Sequence, residues 1–232
     1  MGATYSVAPN IKSFLSLYMV FSLLEDEIIF PYPALADPDG LLAIGGDLSI
    51  ARLTLAYQNG IFPWYSEGEP ILWYSPHERC VIFPDRIKIS KSMHKVLQSG
   101  LFKVTTDQAF AKVIQSCART PRVGQDGTWI TDDMQAAYIR LHKKGIAHSI
   151  EVWQQDQLVG GLYGIVVNRV FCGESMFSHV SNASKTALVY LAKEMDFELI
   201  DCQLPNDHLM SLGAEMISRA TYLALLKTTN NP

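Results

Sequence analysis

The sequence has no CxxC pair, no histidine or cysteine at zinc-finger spacing, no internal repeat, no low-complexity tract and no excess of basic residues. Its four cysteines, Cys80, Cys117, Cys172 and Cys202, lie far apart in a chain of 232 residues. That spacing argues against a disulfide scaffold or a structural zinc site, and for reduced, partly buried thiols in a cytosolic protein. The longest apolar run, residues 14–24, contains two serines. It falls short of the ~20 residues that cross a bilayer. A net charge of −4 excludes a chain coated in basic side chains, such as a histone-like DNA binder, but not a local basic patch. Lys12 ahead of the apolar run gives a loose likeness to a signal peptide. No A-x-A-like cleavage site follows; Glu25, Asp26 and Glu27 come instead. Met19 is therefore read as a natural start, with residues 1–18 an upstream extension.

What is present is globular composition, 48% hydrophobic and 18% charged, in a chain long enough for a sizeable core. Residues 28–45 carry Pro31, Pro33, Pro38, Gly40 and Gly45 and read as an extended, turning segment. A helix follows, capped by Asp47 or Ser49 and ended by Gly60. Aromatics then crowd around prolines in Ile61-Phe62-Pro63-Trp64-Tyr65 and Ile71-Leu72-Trp73-Tyr74-Ser75-Pro76. These patterns divide the chain into an N-terminal extension (1–27), a small N-terminal domain (28–76) and a larger domain (77–232).

The larger domain opens on a basic stretch. Arg79, Arg86, Lys88, Lys91, Lys95 and Lys103 stand there against Glu78 and Asp85. It reads as a solvated face or a phosphate-binding one. A helix is expected from Thr105, with Gln108 completing a capping box, to about Ala118. A loop over residues 120–127 separates it from a helix starting at Thr131, with acids in its first turn and Lys143 and Lys144 in its last, as the helix dipole favours. Three β-rich runs follow, at 149–153, 158–167 and 170–177, joined by short polar links as hairpins. Then come a helix from Asn182 to about Met195, a strand at 199–203 and a helix opened by Asn206 and Asp207. Three antiparallel strands, a helix, a strand and a helix make a three-layer α/β (α+β) pattern with a mixed sheet. It matches the second half of an acetyltransferase-like (GNAT-like) fold, in which the strand after the long helix splays from its neighbour and the cleft takes an acyl donor.

Several polar or aromatic residues stand out against this pattern. Glu174 lies in an apolar strand, where alternation places it on one face with Cys172 and Met176. It is either a strand-end carboxylate reaching solvent or one set in a cleft to hold a cation. Asp201 and Gln203, two apart in a strand, are expected to point the same way and to pair, the carboxylate accepting an amide hydrogen. Trp64 and Trp129 sit in loop-like contexts, which suits stacking on a nucleobase as well as plugging a core. His148, His179 and His208 are isolated and read as structural.

Ordered blocks along the chain carry a resemblance. They include Gly45-Gly46-Asp47-Leu48-Ser49, Gly60-Ile61-Phe62-Pro63-Trp64, Trp73-Tyr74-Ser75-Pro76, Gly127-Thr128-Trp129-Ile130-Thr131, Val159-Gly160-Gly161-Leu162-Tyr163-Gly164, Asn182-Ala183-Ser184-Lys185-Thr186-Ala187 and Ile200-Asp201-Cys202-Gln203. From about Phe30 to about Leu226 the sequence resembles the bacterial leucyl/phenylalanyl-tRNA–protein transferases. The resemblance implies transfer of Leu or Phe, and also Met, from aminoacyl-tRNA to the N-terminal amine of proteins beginning with Lys or Arg, marking them for degradation. It implies that Trp64 and Trp129 hold the terminal adenosine and that Lys91 and Lys95 contact acceptor-stem phosphates. Asp201 and Gln203 match the proposed catalytic pair, and Glu174 a carboxylate of the active-site cleft that helps form a negative wall for the acceptor.

Met176 and Phe177 are expected in the apolar pocket for Leu or Phe, and Asn206 among the substrate-binding residues. Because the donor is an ester, no ATP, metal or redox cofactor is called for, nor any membrane partner, and the setting is cytoplasmic. The rival reading is an acetyl-CoA-dependent N-acetyltransferase on the same fold. That class carries a glycine-rich pyrophosphate loop before the long helix. Here the segment is Phe177-Ser178-His179-Val180-Ser181-Asn182-Ala183, without those glycines.

Overall fold

The computed structural model describes residues 20–121 and 128–228. Met19, the segment before it and most of the loop expected over 120–127 lie outside the described residues.

Near the N-terminus, β1 (Phe21–Leu23) pairs in parallel with β2 (Leu41–Gly45). Thus residues expected to precede the first domain join its sheet. Then comes α1 (Ile50–Gln58), where the Ser49 hydroxyl accepts the Arg52 N–H. The helix stops before Gly60, whose φ of +68° suits glycine. Next are β3 (Phe62–Pro63) and β4 (Leu72–Tyr74), which complete a four-stranded sheet in the order β1-β2-β4-β3. Arg52 is fully buried and donates to the carbonyls of Leu24, Glu25 and Glu27 and to Asp47, tying the entering chain to α1.

The second sheet begins with β5 (Glu78–Ile82), followed by α2 (Lys91–Gln98), β6 (Lys103–Thr106), α3 (Phe110–Arg119) and α4 (Asp132–Lys143). The helix expected from Thr105 is corrected: Thr105 lies in β6, and α3 starts five residues later. The buried Glu151 carboxylate takes the place of the capping box. It accepts from the Thr105 hydroxyl and from the N–H groups of Gln108 and Ala109. A cap supplied from a neighbouring strand leaves no local sequence signature. By contrast α4 starts where its Thr131 cap predicts.

The hairpin strands β7 (Ala147–Gln154), β8 (Gln157–Val167) and β9 (Val170–Ser178) lead into α5 (Ala183–Glu194) and β10 (Leu199–Gln203). The chain ends in α6 (Asp207–Ser211), β11 (Glu215–Ser218) and α7 (Arg219–Thr228). The sheet order is β11-β5-β10-β9-β8-β7-β6, with β9 and β10 its one parallel pair among the described strands. This is the mixed, acetyltransferase-like arrangement, with helices on both faces. Alternation along β8 sends Tyr163 and Ile165 into a core shared with the first sheet, α3 and α4. It sends Leu162 and Val166 into a second core under α5, and the bulge at Val159, opposite Val152 and Trp153, turns that residue to the same side. At Gly160 a Cβ would lie 2.5 Å from the Ala183 Cβ, so α5 sits on the sheet only because that position is glycine.

Candidate active site

The parallel pairing of β10 with β9 is short. It runs through Leu199–Val170, Ile200–Phe171 and Asp201–Cys172 and then stops, while β9 continues to Ser178. Beyond that point the strands splay and enclose a cavity of about 700 Å³. Leu162, Phe171, Met176, Leu188, Leu191 and Ile200 form its apolar part, with Glu174, Gln203 and Asn206 also on its wall.

Glu174 sits at a bulge. Tyr163 pairs with Ser175 and Gly164 with Gly173, so Glu174 is the extra residue of β9. Gly164 permits this: a Cβ there would lie 2.3 Å from the Cys172 carbonyl oxygen. The bulge also corrects the expected shared face. Cys172 packs into the core beneath the first sheet, whereas Met176 lies on the cavity side. Phe177, expected in the pocket, is buried in that same opposite core. Glu174 is left half-buried in the gap between the strands. Its Oε2 accepts from the Tyr138 hydroxyl at 3.0 Å, and its Oε1 from the Gln203 side-chain amide at 3.3 Å. Burial pushes its carboxyl up to about 7; the Tyr57 and Tyr138 hydroxyls pull it down, Asp201 adds to the rise and Arg79 opposes it.

Asp201 and Gln203 do not point the same way. The ladder between β10 and β5 slips between them, and Gln203 adopts a left-handed φ of +55°. Asp201 is fully buried on the core side. It receives Arg79 Nε and Nη2, each at 2.9 Å, and the Tyr222 hydroxyl at 2.8 Å. The remaining bond comes from the backbone N–H of Gln203, also at 2.9 Å, not from its side-chain amide. Asp201 therefore holds the turn that swings the Gln203 carboxamide toward Glu174. With its Nε2 donated, Gln203 keeps Oε1 as an acceptor. Burial disfavours the Arg79 charge, but Asp201 outweighs it and holds the guanidinium pKa above its ordinary value. Cys202 also lines the cavity; burial, with Cys80 and Asp201 adding, pushes its thiol well above the ordinary value, so it offers no thiolate.

Other expected residues fall elsewhere. Trp64 and Trp129 are half-buried against the first core and outside the cavity wall. Their segments adjoin, since the Tyr65 hydroxyl meets the Thr131 hydroxyl at 3.4 Å. Asn206 caps α6, accepting the Leu209 N–H at 2.8 Å, and so joins the cavity wall with one face of its amide committed. Lys91 and Lys95 are exposed on α2, away from the cavity wall. Sequence reasoning missed Tyr57, Tyr138 and Tyr222 and counted Arg79 only as part of a basic stretch. Arg79 opens a strand-like apolar run, Cys80-Val81-Ile82-Phe83, and a charge at the head of such a run is the available signal.

The sheet opens at its parallel pair onto an apolar cavity with a carboxylate and an amide on its wall. The family model described as leucyl/phenylalanyl-tRNA protein transferase matches residues 81–227, and that of its N-terminal domain residues 46–77. The chain is 55% identical over 208 residues to the leucyl/phenylalanyl-tRNA–protein transferase of Flavobacterium johnsoniae, covering 88% of this chain and 98% of that one. It is 52% identical over 214 residues to that of Pseudomonas fluorescens, covering 90% and 94%. The chain belongs to the leucyl/phenylalanyl-tRNA–protein transferase family and is an aminoacyltransferase. Among solved structures it is similar to L-PGS from Bacillus licheniformis, with a TM-score of 0.40, 11% identity and coverage of 72% of this chain and 54% of that one. It is also similar to a GCN5-related N-acetyltransferase from Kribbella flavida, with a TM-score of 0.36, 7% identity and coverage of 75% and 62%. Likenesses this low do not bear on function.

Proposed function

We propose that the protein moves Leu, Phe or Met from aminoacyl-tRNA to the N-terminal amine of proteins beginning with Lys or Arg, in the cytoplasm, and that the product is marked for degradation. The observation that carries this reading is the Glu174–Gln203 pair on the wall of a largely apolar cavity. The donor side chain enters the cavity, which puts its ester carbonyl beside the pair. Trp64 and Trp129 hold the terminal adenosine, and Lys91 and Lys95 meet phosphates of the acceptor stem. The division into a small domain over 28–76 and a catalytic domain from 77 belongs to the same reading, and the change of sheet between Tyr74 and Glu78 supports it.

The acceptor must lose a proton before it attacks. Its ammonium has a pKa of roughly 8, and Glu174 stands at about 7. Transfer from one to the other is uphill by about one unit, or ~1.4 kcal/mol, a small part of an acyl-transfer barrier. Gln203 Oε1 accepts a second N–H and orients the lone pair at the carbonyl. The C–N bond forms, the ester C–O bond breaks, and one of the two remaining amine protons leaves with the tRNA 3′ oxygen while the other stays on the new amide. Glu174 returns its proton to solvent. Asp201, buried and saturated, positions Gln203 and touches no substrate. Glu174 also presents negative charge to a cationic acceptor.

An acetyl-CoA-dependent reaction is disfavoured at the start of α5. There the Ser184 N–H is already taken by the Ser178 hydroxyl at 3.2 Å, and the loop lacks the glycines that would cradle a pyrophosphate. The deciding assay supplies labelled leucyl-tRNA and a protein with N-terminal Arg, beside the same protein with N-terminal Ser and beside labelled acetyl-CoA. Label on the Arg protein alone, from the tRNA alone, is expected. Transfer from acetyl-CoA, or equal transfer to both termini, would reject the reading.

A further inference from the structure

We infer that Tyr57 and Tyr138 are positioning residues of the transfer reaction: together they clamp one oxygen of Glu174, leaving the edge shared with Gln203 to meet the acceptor amine. This rests on the proposed role of Glu174.

The argument begins with proton counting. A phenol has one O–H to give. Tyr138 gives its proton to Glu174 Oε2 whenever that carboxylate is ionised, so in the contact between the two hydroxyls Tyr57 must be the donor and Tyr138 the acceptor. The order Tyr57→Tyr138→Glu174 is thereby fixed. Neither tyrosine reaches the cavity; their exposures are 1% and 0%. Both are packed in the core shared by the two sheets, where phenylalanine would avoid the cost of burying a hydroxyl. The pair also spans distant parts of the chain. Tyr57 is on α1, beneath the first sheet, and Tyr138 is on α4. The first sheet thus reaches the reacting group through α1.

The groups that face the carboxylate from the surrounding elements are identifiable. Tyr57 faces it from α1, Tyr138 from α4, Arg79 from β5, Cys172 from β9, and Asp201 and Gln203 from β10. Arg79 is committed to Asp201 by two bonds, so it acts on Glu174 only from a distance. The phenol of Tyr138 and the amide of Gln203 land on the carboxylate oxygens, and the Tyr57 hydroxyl beside that of Tyr138 also favours the ionised form. A donor on Oε2 stabilises the ionised form and fixes the rotamer. Loss of that donor raises the pH at which Glu174 becomes able to take a proton, and lets the carboxylate turn away from Gln203.

The test uses the full chain with leucyl-tRNA saturating and an Arg-terminated peptide varied, from about pH 6 to pH 9. Tyr138→Phe is expected to move the acid limb of kcat/KM for the peptide upward and to lose roughly tenfold at the acid end, as removal of a hydrogen bond to a charged group does. The alkaline plateau and the KM for leucyl-tRNA stay near wild type. Tyr57→Phe removes a hydroxyl that also favours the ionised Glu174, moves the limb the same way, and serves alone if Tyr138→Phe does not fold. Glu174→Gln replaces the limb with that of the acceptor ammonium itself, at about pH 8. A limb that stays at the wild-type pH in both phenylalanine variants, or an equal loss at every pH, overturns the positioning role while leaving the Glu174 reading intact. An unchanged limb in Glu174→Gln overturns both.

Discussion

Arg79 grips Asp201 through two parallel N–H···O bonds of 2.9 Å, with both side chains withdrawn from solvent. The guanidinium also lies over the rings of Phe62 and Tyr222 at 4.9 and 4.5 Å and donates to the Gly60 carbonyl at 3.2 Å. Both members of the pair are thus fully engaged, and the pair fixes the backbone turn at Gln203. Breaking one partner strands the other charge in a low-dielectric core, at a cost of roughly 3–5 kcal/mol.

Asp201→Leu is therefore expected to lower the melting temperature by roughly 6–20 °C in a chain of this size and to abolish transfer. Adding Arg79→Met removes the stranded charge and is expected to recover much of the stability without recovering transfer, because nothing then holds the Gln203 N–H. A double variant that regains both would show that the pair supports the core alone. Thermal unfolding and a transfer assay on the same preparations decide between these results.

Glu174 links the site to stability through pH. Its carboxyl is raised from 4.5 to about 7 by burial. The folded chain therefore holds a proton that the unfolded chain releases between about pH 4.5 and 7, and stability from this group is complete below pH 4.5 and lost as pH rises through 7. Glu174→Gln is neutral throughout. The variant is expected to match wild type near pH 4.5 and to melt higher than wild type at pH 8. Equal melting temperatures at pH 8 would mean the carboxylate is not desolvated as the geometry implies.

Much of this fold follows from local pattern. The hairpins β7–β9, the helix after them and β10 fall within a few residues of their sequence expectations, because alternation and capping act over short distances. The bulges do not. Nothing in Phe171-Cys172-Gly173-Glu174 announces an extra residue until Gly164 is placed opposite, and nothing in Ile200-Asp201-Cys202-Gln203 announces a left-handed glutamine. Asp201 and Gln203 could be singled out as polar residues on an apolar strand. Their opposite directions, and the commitment of Asp201 to Arg79 across 122 positions of sequence, depend on β5 lying between β10 and β11. Tyr57 and Tyr138 look like ordinary core aromatics in their own helices and acquire meaning only when α1 and α4 meet above Glu174.

The cavity wall gives a handle on donor choice. Met176 is half-buried and lines the cavity beside Leu162 and Leu188. Met176→Trp adds bulk inside it while leaving the Glu174–Gln203 edge untouched. The larger donor side chain should suffer more. Transfer of Phe is expected to fall at least roughly tenfold relative to Leu, within the limits of apolar discrimination. Competition between phenylalanyl- and leucyl-tRNA in one reaction measures the ratio directly. A ratio that does not move would place the donor side chain elsewhere.

The acidity of the chain conceals a cationic face on α2. Ser90 caps that helix by accepting the Met93 N–H, and one turn separates the exposed Lys91 and Lys95, which therefore share a face. Among the described residues neither enters an ion pair, so both ammonium groups are available to phosphate. If each neutralises one phosphate of the acceptor stem, each releases condensed counterions, and affinity for tRNA should fall with salt accordingly. Lys91→Ala with Lys95→Ala is expected to weaken tRNA binding at low salt and to reduce the slope of log K against log salt by about one per lysine. Transfer from a minimal aminoacyl-adenosine donor, which lacks the stem, should survive. Lys143→Ala with Lys144→Ala, exposed at the end of α4, provides the charge-matched control. Equal slopes for the two double variants would reduce Lys91 and Lys95 to a solvated surface.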